Sequence, residues 1–229
     1  LPALLGVDGV DTSIDTTALH HYLTFHAVVP FPRTILTGIE KVPPASVMVI
    51  ESDGSTDIRT YWSLSYGGSP EDAERDEAEW EQSVLDTLRR SVKRRLVADV
   101  PVGVLLSGGL DSSLIVGLLA EAGQDHLATY SIGFEGVNEE QGDEFTYSDQ
   151  IAQRFGTDHH RIFIDEERLL PALPGAIEAM AEPMVSHDAV AFYLLSQEVS
   201  SDLKVVQSGQ GADEVFGGYR WYPPLLESV

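Results

Sequence analysis

The stretch VGVLLSGGLDSS at residues 102–113 runs from an apolar segment through a glycine turn into a helix-forming segment. Residues 102–106 are predicted to form a buried strand and residues 111–122 a helix. The same alternation continues along the chain, with helices between further strands predicted at 128–134, 160–164 and 204–209. Alternating strands and helices predict a parallel sheet with crossover helices, which is an α/β fold. Ligands in such folds bind beyond the carboxyl ends of the strands.

The glycine turn after the first of these strands has the composition of a pyrophosphate cradle. Its glycines allow a sharp turn that points N–H groups at an anion, and its serines add hydroxyl donors at the positive end of the following helix. These residues are Ser107, Gly108, Gly109, Ser112 and Ser113. The turn has neither the lysine of a Walker A loop nor the GxGxxG pattern. Asp111 offers a carboxylate to Mg²⁺, which bridges substrate phosphates; the alternative is an aspartate that only caps the helix.

The stretch VVQSGQGADE at residues 205–214 repeats this arrangement, with a strand, a glycine turn and an acidic pair. A second parallel strand would bring Asp213 to the same edge of the sheet as Asp111. The two carboxylates are therefore predicted to share one Mg²⁺. For this stretch taken alone, the alternative is an ordinary capped helix start.

The composition excludes several classes of site and partner. The 229 residues contain no cysteine, which excludes disulfides, thiolate metal sites and a cysteine nucleophile within this sequence. With 14 Lys and Arg against 37 Asp and Glu, the net charge of −23 argues against a nucleic-acid partner. No apolar run approaches the ~20 residues of a membrane span, so a soluble cytoplasmic protein is expected. The acidity suits a salt-rich cytoplasm as well as it suits neutral drift.

Composition and periodicity change near residue 70 and divide the chain into two predicted domains, 1–68 and 69–229. The first is rich in turns, and residues 46–54 indicate a strand followed by a hairpin turn. The second opens with a helix predicted from Ser69 to Val97, with a proline at its first position. The end of this helix carries a basic cluster that suits a helix C-terminus better than it indicates a phosphate site; its members are Arg89, Arg90, Lys93, Arg94 and Arg95.

Histidines and aromatic residues give weaker candidates. His159 and His160 are neighbours on a predicted strand, so their side chains point to opposite faces and are expected to be polar strand-edge residues, not metal ligands. His187 beside Asp188 has the arrangement of a base with an orienting carboxylate. The other candidates are expected to be surface or packing residues: His20, His21, His26, Tyr219, Trp221 and Tyr222.

Together these motifs resemble the synthetase domain of the asparagine synthetase family, N-type ATP pyrophosphatases whose loops read SGGxDSS and SGEGADE. The resemblance covers roughly residues 95–222 and includes YSIGF at 130–134, GTDHHR at 156–161 and DEVFGGY at 213–219. Residues 17–62 are similar to the tail of that family's N-terminal glutaminase domain. The resemblance implies a PP-loop ATP-pyrophosphatase fold, like that of adenine-nucleotide alpha hydrolases, preceded by a β-rich remnant of a class II glutaminase domain.

The resemblance also implies roles for the motif residues. The loop 107–113 would hold pyrophosphate, and Asp111 with Asp213 would bind Mg²⁺. Four residues would line the AMP moiety, mostly through backbone groups: Leu105, Ile132, Ser208 and Gly209. In the implied reaction a carboxylate attacks the α-phosphorus of ATP and releases pyrophosphate, and ammonia then displaces AMP. Such catalysis rests on positioning and charge neutralisation.

Two features depart from asparagine synthetases. Gln210 stands where that family has Glu, and an amide cannot act as a general base or carry charge. Residues 182–188, EPMVSHD, lack the Thr- and Arg-containing pattern found there in asparagine synthetases. Both features look most like the branch that amidates N-acetylglutaminylglutamine. This dipeptide is therefore the expected acceptor, and Gln210 is assigned to the catalytic site beside Asp111 and Asp213.

The resemblance implies ATP and Mg²⁺ as cofactors, a small carboxylate as substrate, and ammonia from a glutaminase domain that this chain lacks. The chain is expected to be a fragment that is inactive alone, and a homodimer is left open. Three alternatives remain: asparagine synthetase proper, another PP-loop enzyme such as NAD or GMP synthetase, and a non-catalytic nucleotide-binding module. The GADE loop and the glutaminase-like tail argue against the second of these.

Overall fold

The chain folds into two compact units. The first comprises Leu1–Glu74 together with Pro171–Tyr193, and the second comprises Arg75–Leu170 together with Leu194–Val229. This computed structural model describes residues 1–134, 145–183, 186 and 188–227. The sequence boundary at residue 68 lies close to the end of the first segment, but the return of residues 171–193 to the first unit was not predicted. That the first unit derives from a glutaminase domain stays a prediction.

The first segment of this unit includes two short helices and one hairpin: α1 (Pro2–Leu5), α2 (Thr16–Thr24), β1 (Ser46–Ile50) and β2 (Thr56–Thr60). Helix α2 starts after Asp15, whose carboxylate accepts hydrogen bonds from the N–H groups of Thr17 and Ala18. Strands β1 and β2 pair antiparallel, and Gly54 lies between them with a φ of 85°. The predicted strand and hairpin turn are confirmed, whereas α2 was not predicted.

A half-buried ion pair ties the segment 171–193 to the rest of the first unit. The Nζ atom of Lys41 lies 3.0 Å from Glu182 Oε1 and donates a hydrogen bond of 2.8 Å to the carbonyl of Val29. Glu182 is 141 positions further along the chain. No local pattern in the sequence announces a contact over such a separation.

The second unit opens with α3 (Glu77–Arg95), which begins later than predicted. Ser69 and Pro70 were expected to start this helix, but the amide and hydroxyl of Ser69 instead bind the Asp72 carboxylate in a local turn. Asp76 supplies the actual N-cap, because its side chain and that of Glu79 form a reciprocal capping box. The Asp72 amide also donates a 3.2 Å bond to the Ser69 hydroxyl, but that turn leads only into a three-residue 3-10 helix at Asp72–Glu74.

The remainder of the chain alternates strands with helices. The elements in order are β3 (Val102–Leu105), α4 (Leu110–Glu121), β4 (Ala128–Phe134), α5 (Phe145–Phe155), β5 (Asp158–Ile164), α6 (Glu166–Ala179), α7 (Asp188–Asp202), β6 (Val205–Gln207), α8 (Ala212–Phe216) and α9 (Tyr222–Glu227). The four strands form a parallel sheet in the order β5-β4-β3-β6. The predicted α/β class and its parallel sheet are confirmed.

Helices of the second unit cover both faces of this sheet. Alternate residues of a strand point to opposite faces. Val104 and Leu106 therefore enter a core that also contains Val92, Val116, Leu119 and Ala152 from α3, α4 and α5. On the other face, Leu105, Tyr130 and Ile132 pack with Leu195 and Val199 of α7. Among the described residues, no helix combines the length and apolarity that a membrane crossing requires.

Candidate active site

The two glycine loops follow β3 and β6, which are neighbours in the sheet. Between these two strands the order in which the chain adds strands reverses. The chain proceeds from β3 to β4 and β5 on one side, and then returns to place β6 on the other side of β3. Val104 pairs with Gln207, so the loops begin at Ser107 and Ser208, three residues and one residue beyond the same level of the sheet. In doubly wound sheets the crevice at such a switch point is where ligands bind.

The first loop depends on a glycine at position 108. Gly108 has a φ of +84°, a conformation that disfavours side chains. A Cβ atom there would also lie 2.6 Å from the backbone nitrogen of Ser148 and from the Cβ of Tyr147, in the first turn of α5. The loop backbone is therefore held directly against α5, a support that sequence reasoning missed.

The loop serines bind the loop itself. The Ser112 hydroxyl is buried, lies 3.0 Å from the Ser107 hydroxyl and accepts a 3.2 Å bond from the Ser107 amide. The Ser113 hydroxyl donates to the Gly109 carbonyl at 2.7 Å. These bonds fix the shape of the turn, and the amides at the start of α4 have no acceptor within the helix and can bind an anion. Direct phosphate contacts by the serines stay a prediction.

The second loop rests on the first. A Cβ atom at Gly209 would lie 2.9 Å from both the Asp111 Cβ and the Ser112 amide nitrogen. The structure thus brings the two glycine turns together, as the sequence predicted. Gln210 is exposed, and its backbone N–H donates a long 3.4 Å hydrogen bond to the Ser208 hydroxyl.

Helix α8 presents the acidic pair and is bounded by two left-handed glycines. Gly211, its N-cap, has a φ of 92°, and Gly217, its C-cap, has a φ of 69°. The Asp213 carboxylate lies against Gly218, where any side chain would displace it. The two consecutive carboxylates of Asp213 and Glu214 therefore occupy a single turn whose shape depends on glycine.

The aromatic group after α8 supports Glu214. The Tyr219 hydroxyl donates a 2.7 Å bond to the Glu214 carboxylate, and this bond raises the pKa of Tyr219 to about 12. The Tyr219 ring stacks on Trp221 with centroids 4.3 Å apart, and Trp221 is 60% exposed. The three aromatic rings of Tyr219, Trp221 and Tyr222 pack on one another.

The carboxylates of the two loops fit Mg²⁺ only if a bound nucleotide supplies further oxygen ligands. Among the described residues, no three acidic or histidine side chains converge as a metal site. Asp111 and Asp213 offer one carboxylate from each loop, which matches the habit of Mg²⁺ to take one or two carboxylates and to complete its shell with phosphate and water. Their sharing of one ion stays a prediction.

The predicted adenylate-lining residues belong to the core of the sheet. Leu105 and Ile132 lie on adjacent strands, and their half-buried side chains pack with Tyr130, Leu195 and Val199. Since the side chains are occupied, only the backbone of these residues is left to face a nucleotide. Their role at the AMP moiety stays a prediction.

The histidine candidates and the basic cluster of α3 have different surroundings in the structure. The Nδ1 atom of His159 lies 2.8 Å from the Thr129 hydroxyl, and burial lowers the pKa of this histidine. The His160 ring stacks instead on Tyr130, with centroids 4.7 Å apart. The basic cluster on α3 includes Arg89, which pairs with Asp86 and Glu121 on the helix surface. His187, with Met184 and Val185, lies outside the described residues.

Sequence comparisons relate this chain to the asparagine synthase family. The family profile described as asparagine synthase matches residues 83–228. Asparagine synthetase 1 of Bacillus subtilis, described as glutamine-hydrolysing, is 35% identical over 213 residues, covering 93% of this chain and 32% of that protein. A putative glutamine-hydrolysing asparagine synthetase of Mycobacterium bovis is 33% identical over 220 residues, covering 96% of this chain and 33% of that protein. This chain thus spans about a third of the length of these relatives.

Among solved structures, the ammonia-dependent NAD synthetase of Campylobacter jejuni is 18% identical to this chain with a TM-score of 0.39. The match covers 63% of this chain and 61% of the synthetase.

Proposed function

Because the profile match covers well over half of its residues, this chain belongs to the asparagine synthase family, and we propose that its second unit uses ATP to activate a carboxylate for amidation. The product of the first step is an acyl-adenylate, and ammonia converts it to the amide. ATP supplies the energy and leaves as AMP and pyrophosphate.

One observation carries the proposal, which is the contact between the two glycine loops. Gly209 of the second loop lies against Asp111 and Ser112 of the first, at the carboxyl ends of adjacent parallel strands. The first loop offers the free amides of a helix start and the Asp111 carboxylate, and Asp213 follows the second loop; together these would be the groups that a magnesium nucleotide requires.

In the proposed reaction the protein positions reactants and supplies no nucleophile. The amides of the 107–113 loop bind the β- and γ-phosphates. A carboxylate oxygen of the acceptor attacks the α-phosphorus in line with the leaving pyrophosphate. Asp111 and Asp213 would hold Mg²⁺, which would supply positive charge to the phosphates. Ammonia then attacks the acyl carbon, and the bond to AMP breaks.

For the acceptor we propose N-acetylglutaminylglutamine. Gln210 is exposed next to the loop junction, where its amide can hydrogen-bond to the amide groups of a substrate whose acetylated nitrogen carries no charge for a carboxylate to pair with. Ammonia would come from glutamine hydrolysis elsewhere in the whole protein, in the cytoplasm, where ATP is available.

The test is exchange of labelled pyrophosphate into ATP by the whole protein, measured with N-acetylglutaminylglutamine, with aspartate and without acid. Exchange with the dipeptide alone supports the full proposal. Exchange with aspartate alone makes the protein an asparagine synthetase. ATP binding without exchange in the presence of either acid indicates a nucleotide-binding module, and absence of ATP binding refutes the proposal.

Matched variants link that activity to the loop junction. Asp111→Asn and Asp213→Asn should each lower exchange by at least about 100-fold, because each removes a carboxylate that would hold Mg²⁺ beside the phosphates. Asp125→Asn removes the same charge beyond the far end of α4, a helix about 18 Å long, and should leave exchange unchanged. Equal activity in all three variants would contradict the assigned roles.

A further inference from the structure

Helix α5 supports the first glycine loop through its first turn. The Gly108 backbone lies so close to Tyr147 and Ser148 that a Cβ atom would be 2.6 Å from each. Ser148 is fully buried, and its hydroxyl bonds to the Phe145 carbonyl at 3.2 Å. A displacement of this turn would therefore move Gly108, and with it the amides that face the anion.

The next residue, Asp149, connects α5 to the neighbouring strand β5. Its Oδ1 atom accepts a 2.7 Å hydrogen bond from Arg161 Nε and lies 3.6 Å from His159 Nε2. The His159 side chain is only 10% exposed, and its Nε2 atom has no hydrogen-bond partner among the described residues. Its other ring nitrogen is held by Thr129, whose hydroxyl also meets that of Thr157 at 2.8 Å.

These contacts form a continuous path from β4 and β5 to the phosphate loop. The imidazole is fixed by Thr129, the carboxylate is fixed by Arg161 and faces the imidazole, and the residue before that carboxylate touches Gly108. The path ends where the backbone of Ser148 lies against the backbone of Gly108, so it does not reach the loop through a flexible side chain.

We propose that Asp149 is a positioning residue for the nucleotide: by binding Arg161 and facing His159, it fixes the turn of α5 that sets the position of Gly108. The inference rests on the proposed function, because ATP is the ligand whose binding it affects. Asp149 does not touch the reacting groups and acts only through the loop.

The size of the effect follows from what else holds α5. An ion pair as exposed as that of Asp149 and Arg161 adds little stability by itself. The apolar face of α5, with Ile151, Ala152 and Phe155, remains packed in the core when Asp149 is changed. The helix should therefore stay folded while its first turn becomes less constrained, and ATP should bind about tenfold more weakly.

Asp149→Asn and Asp158→Asn make a matched pair for the test. Both remove one carboxylate near a histidine of β5, and both leave the same net charge. Asp158 lies 3.4 Å from His160 Nε2 and is 71% exposed, with no link to α5 among the described contacts. In the whole protein, the KM for ATP should rise about tenfold in Asp149→Asn while the KM for the acid stays unchanged, and Asp158→Asn should match the wild type.

Hydrogen exchange without nucleotide gives a readout that does not depend on activity. Amides of residues 107–113 should exchange faster in Asp149→Asn than in Asp158→Asn or the wild type, and Asp149→Glu should restore part of the protection. Equal loop exchange in the two asparagine variants, or an unchanged KM for ATP, overturns the inference. Should Asp149→Asn fail to fold, Arg161→Gln removes the same ion pair from the other side and is expected to change both readouts in the same direction.

The two hypotheses fail separately. If the wild type binds no ATP, the proposed function is refuted, and loop exchange still decides whether Asp149 positions the loop. If the wild type binds ATP and Asp149→Asn binds it equally well, only the positioning role is refuted.

Discussion

The two glycine loops share a motif pattern but differ in how they are supported. The first lies between a buried strand and the 12-residue helix α4, and its serines hydrogen-bond within the turn. The second lies between a three-residue strand and the five-residue helix α8. Its Ser208 hydroxyl accepts a long bond of 3.4 Å, and both ends of α8 rely on left-handed glycines.

This difference indicates a division of labour between the loops. A turn fixed by internal hydrogen bonds and by the backing of α5 is preorganised, so an anion can bind without ordering the backbone. A turn with short flanking elements and exposed side chains belongs to the less stable part of a fold, and can change shape at low cost. We therefore expect the first loop to hold phosphate rigidly and the second to adjust to the acceptor.

The largest expected contrast is between Gly108→Ala and Gly211→Ala. Both glycines have positive φ, but only Gly108 has backbone atoms where a Cβ would go, whereas nothing lies within 4 Å at Gly211. Gly211→Ala should cost only the left-handed conformation, about 1–2 kcal/mol. Gly108→Ala adds a clash with α5, so it should lower the free energy of unfolding by about 3 kcal/mol or more. It should also lose ATP binding. Urea unfolding of both variants measures the two losses.

A further glycine provides the control for strain alone. Gly123 has a φ of +80° in open space, far from both loops along α4, so Gly123→Ala should behave as Gly211→Ala does in stability. Equal losses for Gly108 and Gly211 would show that α5 yields to a side chain, and the first loop would then not be the rigid one.

A smaller contrast is expected between one serine of each loop, Ser112 and Ser208. Ser112→Ala removes a buried hydroxyl that bonds to the Ser107 hydroxyl, and it leaves the backbone amide of Ser107 without its acceptor. This loss should lower the free energy of unfolding by about 1–2 kcal/mol. Ser208→Ala removes a long, exposed contact and should change stability by no more than about 0.5 kcal/mol. Thermal unfolding resolves this difference, and a reversed order would assign the internal support to the second loop.

The sequence predicts the strands and loops well because the determining signals are local. The buried strand β3 appears as a short apolar run, and each glycine loop follows a strand that the alternating pattern predicts. The start of α3 could not be chosen in this way, because Ser69 with Asp72 and Asp76 with Glu79 both offer caps. Both pairs exchange hydrogen bonds in the two directions, so the local signals do not decide where the long helix starts.

What the sequence could not predict depends on contacts between distant parts of the chain. The backing of Gly108 by Ser148, the position of Asp149 beside His159, and the link from Lys41 to Glu182 have no periodicity or motif that marks them. The motif alone accounts for a glycine at position 108, because the turn there requires one. The structure adds a second reason, since another helix occupies the space for a side chain.

The smallest expected contrast lies in how the supports of the two loops respond to pH. Burial lowers the pKa of His159 from its ordinary value of 6.5, and the neighbouring Asp149 carboxylate opposes this in part. A depressed pKa in the folded state contributes stability that is present above pH 6.5 and is lost as the pH falls below it. Uptake of one proton limits that loss to about 1.4 kcal/mol per pH unit. In contrast, Tyr219 on the second-loop side, with a pKa of about 12, keeps its proton throughout this range.

Urea unfolding between pH 8 and pH 5 therefore distinguishes the two supports. Wild-type stability should decline below pH 6.5 more steeply than that of His159→Gln, while Tyr219→Phe should shift stability by a similar amount at every pH in this range. Because the Tyr219 proton is retained, its hydrogen bond to Glu214 should matter for pH dependence only above pH 10, where the raised pKa makes folding less favourable as the pH increases. If His159→Gln and the wild type decline in parallel, protonation of His159 does not couple to folding, and the support of the first loop is insensitive to pH.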